Sequence, residues 1–295
     1  MKKLIVILGP TASGKSALGV QLAKKFKGEI ISADSRQVYK GLDIGSGKIT
    51  KKEMGGVPHH LLGIASPKRR FTVSQYAKLA QQAVVSVQKK DKIPFFVGGS
   101  PLYIYAVTDG WVLPKVSPNN ALREKLNKLT AVELLSKLKK LDPRRAKTIE
   151  QKNPRRLIRA LEIVMTTKKP VPQFRKHPLP YPVLFLGVKK SSIVLRKNIR
   201  KRFLSMLRRG FLNEVKTLRK NKLSWNAIEN FGLEYRQASQ YLQGKISKQE
   251  MIEKTVKATE DFARRQITWF KKDQRIHWIH SYKEAQNLIE RFSVQ

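Results

Sequence analysis

KKLIVILGPTASGKSALGVQLAKKF, residues 2–26, decides the architecture. A short unbroken apolar run ends at Gly9, which suits a strand buried on both faces of a parallel sheet. From Ser16 to Phe26 the residues Leu18, Leu22, Ala23 and Phe26 fall on one face of a helix. Between strand and helix stand Gly9, Pro10, Thr11, Ala12, Ser13, Gly14, Lys15 and Ser16, with the glycine and lysine spacing of a phosphate-holding loop of the kind that usually binds ATP or GTP. Loop N–H groups and the helix N-terminus make an anion cradle, Lys15 adds a point charge, and the Ser16 hydroxyl suits Mg²⁺.

The same alternation continues downstream. EIISADS and IPFFVGGS read as further strands, and TVSQYAKLAQQAVVSVQKKD between them has helical spacing at Tyr76, Leu79, Ala80, Ala83, Val84 and Val87. Such β-α-β order argues for an α/β fold with a parallel sheet covered by helices. From about Pro114 the strands stop. NNALREKLNKL, TAVELLSKLKKL and NPRRLIRALEIVM read as successive helices. Pro170, Pro172, Pro178, Pro180 and Pro182 then forbid helix and mark a connector before the buried strand VLFLGV. The economical division is a core of residues 1–113 and 181–295 with a helical insertion over 114–180. The last third is mostly helical. SSIVLRKNIRKRFLSMLRRG opens on serine caps and stops at Gly210, SKQEMIEKTVKATEDFARRQITWFKK is a second long helix, RIHWIH a final strand and YKEAQNLIERF a closing helix.

Composition sets the partner class. The chain has 295 residues, 61 Lys+Arg against 21 Asp+Glu, and a net charge of +40. That excess points to a polyanion, with nucleic acid first, since phosphate neutralisation releases counterions. The alternative is a generally basic host proteome. There is no cysteine, which excludes disulfides and thiolate metal sites, and no apolar run approaches the ~20 residues of a membrane helix. The expectation is a cytosolic protein without a signal peptide.

In open α/β sheets ligands bind beyond the carboxyl ends of the strands. Three polar groups fall there: the glycine loop, Asp34 after the second strand, and Gly98-Gly99-Ser100 after the third. Asp34 can bind Mg²⁺, accept a proton from a nucleophile, or cap the next turn. Ser100 is a hydroxyl ligand or an ordinary turn residue. Arg202 lies within the apolar face of its helix, between Leu195 and Met206 in angle, so it demands an anion, either a buried carboxylate or a ligand phosphate. His59-His60 lacks nearby carboxylate or thiol partners and reads as loop packing or backbone hydrogen bonding, not as a metal site. Trp269 and Phe270 fit RNA contact or inward packing equally well.

Taken together, GPTASGKS, ISADSRQVYKGLDIGSGK, VPHHLL, FTVSQY, VGGSPLY, LDPRRAKTIEQKNPRRLIRALEI, IRKRFLSMLRRGFLNEV and FARRQITWFKKD resemble, in order and character, the tRNA dimethylallyltransferases. The resemblance spans nearly the whole chain. It implies a P-loop NTPase-like α/β core with a helical insertion domain that contacts tRNA. It also implies transfer of a dimethylallyl group from dimethylallyl diphosphate to N6 of adenine 37 in tRNAs reading codons that start with U, with Mg²⁺ as cofactor. The loop then holds the diphosphate of the donor, and the positive surface holds the anticodon stem-loop. Asp34 matches the aspartate that contacts the adenine amine, Ser100 stands at a usual threonine, and Arg202 matches an arginine that helps bind diphosphate. The tRNA-contacting segments match Asp34, Ser35, Arg36 and Gln37, then Ser100, Arg123, Arg155, Arg156, Leu157, Ile158, Arg159, Arg236, Arg265 and Gln266. A monomeric, cytoplasmic enzyme is expected.

Two departures from the family pattern stand out. Pro101 follows Ser100, and FGLEYR is one residue longer than the expected glycine-tyrosine-basic motif. The competing readings are an isopentenyltransferase of free adenine nucleotides, a kinase of a small metabolite, and an RNA-binding module without catalysis.

Overall fold

A computed structural model describes residues 2–294. The chain forms two compact units. One runs to Gly110 and resumes at Pro178, and the other is Trp111–His177.

The first unit opens with β1 (Leu4–Leu8), whose five residues are all fully buried. The glycine loop follows, then α1 (Lys15–Lys25). Gly14 sets the start of α1 with φ +88, a left-handed conformation that glycine adopts without a Cβ penalty. β2 (Glu29–Ser32), the one-turn α2 (Lys51–Met54) and the short β3 (His59–His60) come next. α3 (Val73–Gln88) begins on a Thr72–Gln75 capping box and buries Tyr76, Ala80, Ala83, Val84 and Val87. β4 (Pro94–Gly98) leads into α4 (Pro101–Thr108). Here Pro101 occupies the first helical turn, where a missing N–H costs nothing.

The second unit contains β5 (Trp111–Val112), α5 (Asn120–Asn127), α6 (Ala131–Leu141), α7 (Pro143–Thr148), α8 (Pro154–Thr167) and β6 (Arg175–Lys176). Leu126, Leu134, Leu138, Ala146, Leu157 and Leu161 form its core. β5 and β6 pair antiparallel, and Trp111 meets Phe174 edge-on at 5.2 Å. The proline-dense stretch thus carries a short strand as well as irregular chain. Glu162, fully buried on α8, receives Arg123 through two 2.7 Å bonds, Arg159 at 2.5 Å and the Asn119 N–H at 2.7 Å. Burial would raise its carboxyl, but these donors carry it down to about 2.

The first unit continues with β7 (Val183–Val188), α9 (Ser192–Arg208), α10 (Phe211–Lys220), α11 (Trp225–Glu229), α12 (Leu233–Leu242), α13 (Lys248–Phe270), β8 (Ile276–Ile279) and α14 (Tyr282–Val294). Its sheet runs β3-β2-β4-β1-β7-β8, every pair parallel. Ile5, Ile7, Leu22, Phe95, Leu186 and Ile279 knit sheet and helices into one core. Because all strands run the same way, the loops after β1, β2 and β4 emerge on one edge, where a ligand is expected. Among the described residues no helix is long and apolar enough to cross a membrane.

Candidate active site

The groups on that edge are tied together by a closed circuit of contacts. Arg202 donates to Thr11 Oγ1 in the glycine loop at 3.2 Å. The Thr11 N–H donates to Gln266 Oε1 at 2.9 Å, and Gln266 Nε2 donates to the Gly99 carbonyl at 2.5 Å. Next to Gly99, Ser100 Oγ accepts the Ser35 N–H at 3.1 Å. Asp34 Oδ1 accepts the N–H groups of Arg36 at 2.8 Å and Gln37 at 3.4 Å. Gln37 Nε2 donates to the Gly47 carbonyl at 3.2 Å. Gly47 closes the circuit: with φ +60 it packs so tightly on the Arg202 guanidinium that a Cβ would collide with it. The glycine loop, the β2 turn, the β4 turn and α9 are thereby one site.

Of the alternatives for Arg202, a structural ion pair to a buried carboxylate is not seen among the described residues. The Arg202 bonds run to a neutral hydroxyl and to the Ser46 carbonyl at 3.3 Å. A half-buried guanidinium satisfied only by neutral acceptors is poised for an anion. Lys15 sits in the same field. Burial pushes its ammonium down to about 8, with the Arg202 charge adding to the depression and Asp34 opposing it. Its present bond is to the Pro10 carbonyl at 3.2 Å. The loop holds a non-glycine residue, Ala12, at φ +60, a strained conformation typical of ligand clamps, and Asn198 braces its carbonyl at 3.2 Å. Ser13 is buried, and Ser16, at the exposed start of α1, leaves its hydroxyl free among the described residues.

Asp34 does close a turn, through one oxygen. Capping and chemistry therefore do not exclude each other, because a carboxylate has a second oxygen to offer. Nearby, burial raises the Glu234 carboxyl, while Arg202 and Arg36 oppose that rise.

The remaining sequence candidates are distributed more widely. Arg36, Arg155, Arg156, Arg236 and Arg265 are exposed, Arg156 pairing with Glu150 at 3.2 Å and Arg265 lying over the Phe262 ring at 5.9 Å. Leu157 and Ile158 are core residues of the second unit, and Arg123 and Arg159 are bound to buried Glu162. Gln266, only 4 % exposed, faces inward as the staple between loop and β4 turn. Trp269 is 39 % exposed while Phe270 is fully buried, so the two aromatics divide between surface and core. His59 Nδ1 bonds the Val57 carbonyl at 2.8 Å, as the backbone reading expects. His60 instead lies 2.8 Å from Glu29, and the pair forms an edge strand, not a loop. Among the described residues no group of three His, Asp or Glu gathers to hold a metal. Sequence reasoning placed Thr11 in the loop but missed its bonds to Arg202 and Gln266, and it missed Ser46, Gly47, Asn198 and the inward role of Gln266.

A glycine loop after the first strand of a parallel sheet covered by helices, with Asp34 beyond the end of the second, defines a P-loop-like α/β protein. The sequence profile of the IPP transferase family matches residues 37–273. The tRNA dimethylallyltransferase 1 of Geotalea uraniireducens is 37 % identical over 97 % of this chain and 96 % of its own length. The tRNA dimethylallyltransferase of a Roseiflexus species is 40 % identical over 92 % and 91 %. The crystal structure of the full-length tRNA isopentenylpyrophosphate transferase from Bacillus halodurans superposes with a TM-score of 0.73 at 33 % identity, covering 100 % of this chain and 96 % of that one. A eukaryotic dimethylallyltransferase acting on tRNA superposes with a TM-score of 0.79 at 27 % identity, over 95 % of this chain and 74 % of that one. The chain belongs to the IPP transferase family.

Proposed function

We propose that this protein transfers a dimethylallyl group from dimethylallyl diphosphate to N6 of adenine 37 in tRNAs reading codons that start with U. The observation that carries this reading is the contact circuit that joins an unpaired Arg202 and the glycine loop to Asp34. The exocyclic amine is a weak nucleophile, so the donor's C–O bond must be largely broken as the C–N bond forms. The glycine loop, Lys15 and Arg202 stabilise the negative charge that collects on the departing diphosphate. Asp34 hydrogen-bonds the amine and takes its proton. Ser100 positions the Asp34 turn through the Ser35 N–H. The adenine reaches Asp34 only when flipped out of its stack.

Mg²⁺ fits this site as a partner of phosphate: Ser16, whose hydroxyl makes no bond among the described residues, would hold it beside the diphosphate. When bound it supplies further charge neutralisation at the leaving group. Exposed Arg36, Arg236 and Arg265 on the first unit, and exposed Arg155 and Arg156 on the second, each offer phosphate contacts to the anticodon stem-loop. The first unit carries the whole circuit in one chain, so we infer that a monomer suffices, and a tRNA substrate places it in the cytoplasm.

The test is incubation with labelled dimethylallyl diphosphate and unmodified tRNA, with and without Mg²⁺, followed by nucleoside analysis. AMP in place of tRNA separates the free-nucleotide rival. Asp34→Asn keeps an acceptor for the Arg36 N–H but removes the base, and loses about 10²–10⁴-fold in rate. Wild-type turnover in that variant returns Asp34 to turn capping alone.

A further inference from the structure

Beside the site lies an open groove of ≈ 610 Å³ lined by Lys40, Lys68, Lys220 and Lys222, with Ser66 and Asn221 as neutral polar groups. The lysines come from three separate segments. Lys40 lies four residues past Arg36, Lys68 follows the 61–66 stretch, and Lys220 and Lys222 end α10 and its turn. All four are exposed, and among the described residues none has a carboxylate partner. The lining includes no acid, and acids elsewhere in the unit are already engaged. Asp43 pairs with Lys48 at 2.5 Å. Glu214 accepts the N–H groups of Asp43, Ile44 and Gly45 and the Tyr235 hydroxyl. Glu53 closes the capping box of Thr50.

Four ammonium groups around one concavity repel each other. A cation in the last helical turn complements the helix dipole, which accounts for Lys220 but not for Lys40, Lys68 or Lys222. The groove also continues the reactive edge. The Gly63 N–H bonds the Gln37 carbonyl at 2.9 Å and the Lys40 N–H bonds the Ala65 carbonyl at 2.9 Å, so the β2 turn and the groove wall are one hydrogen-bonded layer. Six residues separate Asp34 from Lys40, at most ~20 Å of chain. A stacked RNA strand covers that span in about six nucleotides.

We propose that this lysine groove is a phosphate-backbone site for the RNA strand that runs on from the target nucleoside. The proposal rests on the tRNA reading above. Point charges of this kind fix register and raise affinity without reading bases.

Two pairs of variants test it, one from each wall: Lys40→Gln with Lys68→Gln, and Lys220→Gln with Lys222→Gln. Lys25→Gln with Lys89→Gln, exposed lysines at the ends of α1 and α3 and so at the opposite edge of the sheet, matches the loss of charge. The readouts are tRNA affinity by fluorescence anisotropy from 50 to 300 mM salt, melting temperature, and steady-state prenyl transfer. Each groove pair lowers the slope of log K against log salt by about 0.7–0.9 per lysine, and weakens binding roughly five-fold per lysine at 0.15 M. The loss falls on KM for tRNA and leaves KM for dimethylallyl diphosphate in place. The control pair changes these far less.

If the wild-type protein prenylates tRNA while both groove pairs bind it like the control pair, the groove proposal is overturned and the functional reading stands. A change in melting temperature alone overturns it too. If the wild-type protein binds tRNA through the groove but transfers no prenyl group, the functional reading falls and the groove stands. Absence of tRNA binding by the wild-type protein overturns both.

Discussion

Arg202 and Lys15 show how one residue's surroundings foretell its work. Arg202 is held by Thr11 and the Ser46 carbonyl and pressed against Gly47, so it is positioned before any anion arrives. Preorganised donors of this kind are worth about 10²–10³ in rate each, and that loss is expected in kcat for Arg202→Ala, read in single-turnover transfer. Unchanged turnover would make Arg202 a packing residue. Lys15, held at about 8 by burial, predicts a pH signature. Below pH 8 the free enzyme carries the ammonium, and above it the charge is lost. Donor affinity measured by calorimetry should therefore be level up to about pH 8 and then weaken, by up to tenfold per pH unit. Lys15→Arg, which stays charged, should remove the bend, and a bend that persists in it would place the titration elsewhere. The loop, Asp34, Ser100 and Arg202 were legible because spacing and strand-end position mark them. Gly47, the bond from Arg202 to Thr11 and the staple through Gln266 were not, since they depend on contacts between residues as far as 255 apart in sequence.

At the scale of elements, period and capping carried most of the fold. β1, β2, β4, β7 and β8 stand on apolar runs, and α3, α9 and α13 begin on Thr72, Ser191 and Ser247 caps that the sequence displays. The short α7 and α11 escaped because one turn gives no periodicity to read, and β3 and β6 because two residues carry no strand signal. Pro101, a departure from the family pattern, is the start of α4. β3 also conceals an ionic anchor. Glu29, at the N-terminal end of β2 and 1 % exposed, meets His60, Lys90 and Lys92. Burial raises its carboxyl, but these partners bring it down to about 2. Its folded value lies below the ~4.3 of an unfolded glutamate, so its contribution is complete above about pH 4.5 and disappears as pH falls toward 2. Glu29→Gln should be less stable than wild type at pH 6 by about 1–3 kcal/mol, and the gap should close in melts taken down to pH 2.5. A gap of constant size would assign the loss to packing, not charge.

For the whole molecule, the net charge of +40 sets two processes against each other. The 21 acids are too few to neutralise 61 bases, so the folded chain repels itself as well as attracting polyanions. Screening weakens both forces. Raising salt from 20 to 300 mM should lift the melting temperature of the free protein, by about 2–4 °C for each kcal/mol of repulsion relieved. Over the same range tRNA affinity should fall by orders of magnitude, because counterion release is lost. Opposite signs from one variable distinguish a surface kept positive for its ligand from one balanced by internal ion pairs, whose screening would lower the melting temperature. Saturating tRNA at 20 mM salt should then stabilise the protein over its free form at the same salt by RT ln(1 + [tRNA]/Kd), less whatever binds the unfolded chain. A melting temperature that is flat in salt would show that the charges lie too far apart to repel, and the excess of lysine and arginine would then reflect composition alone.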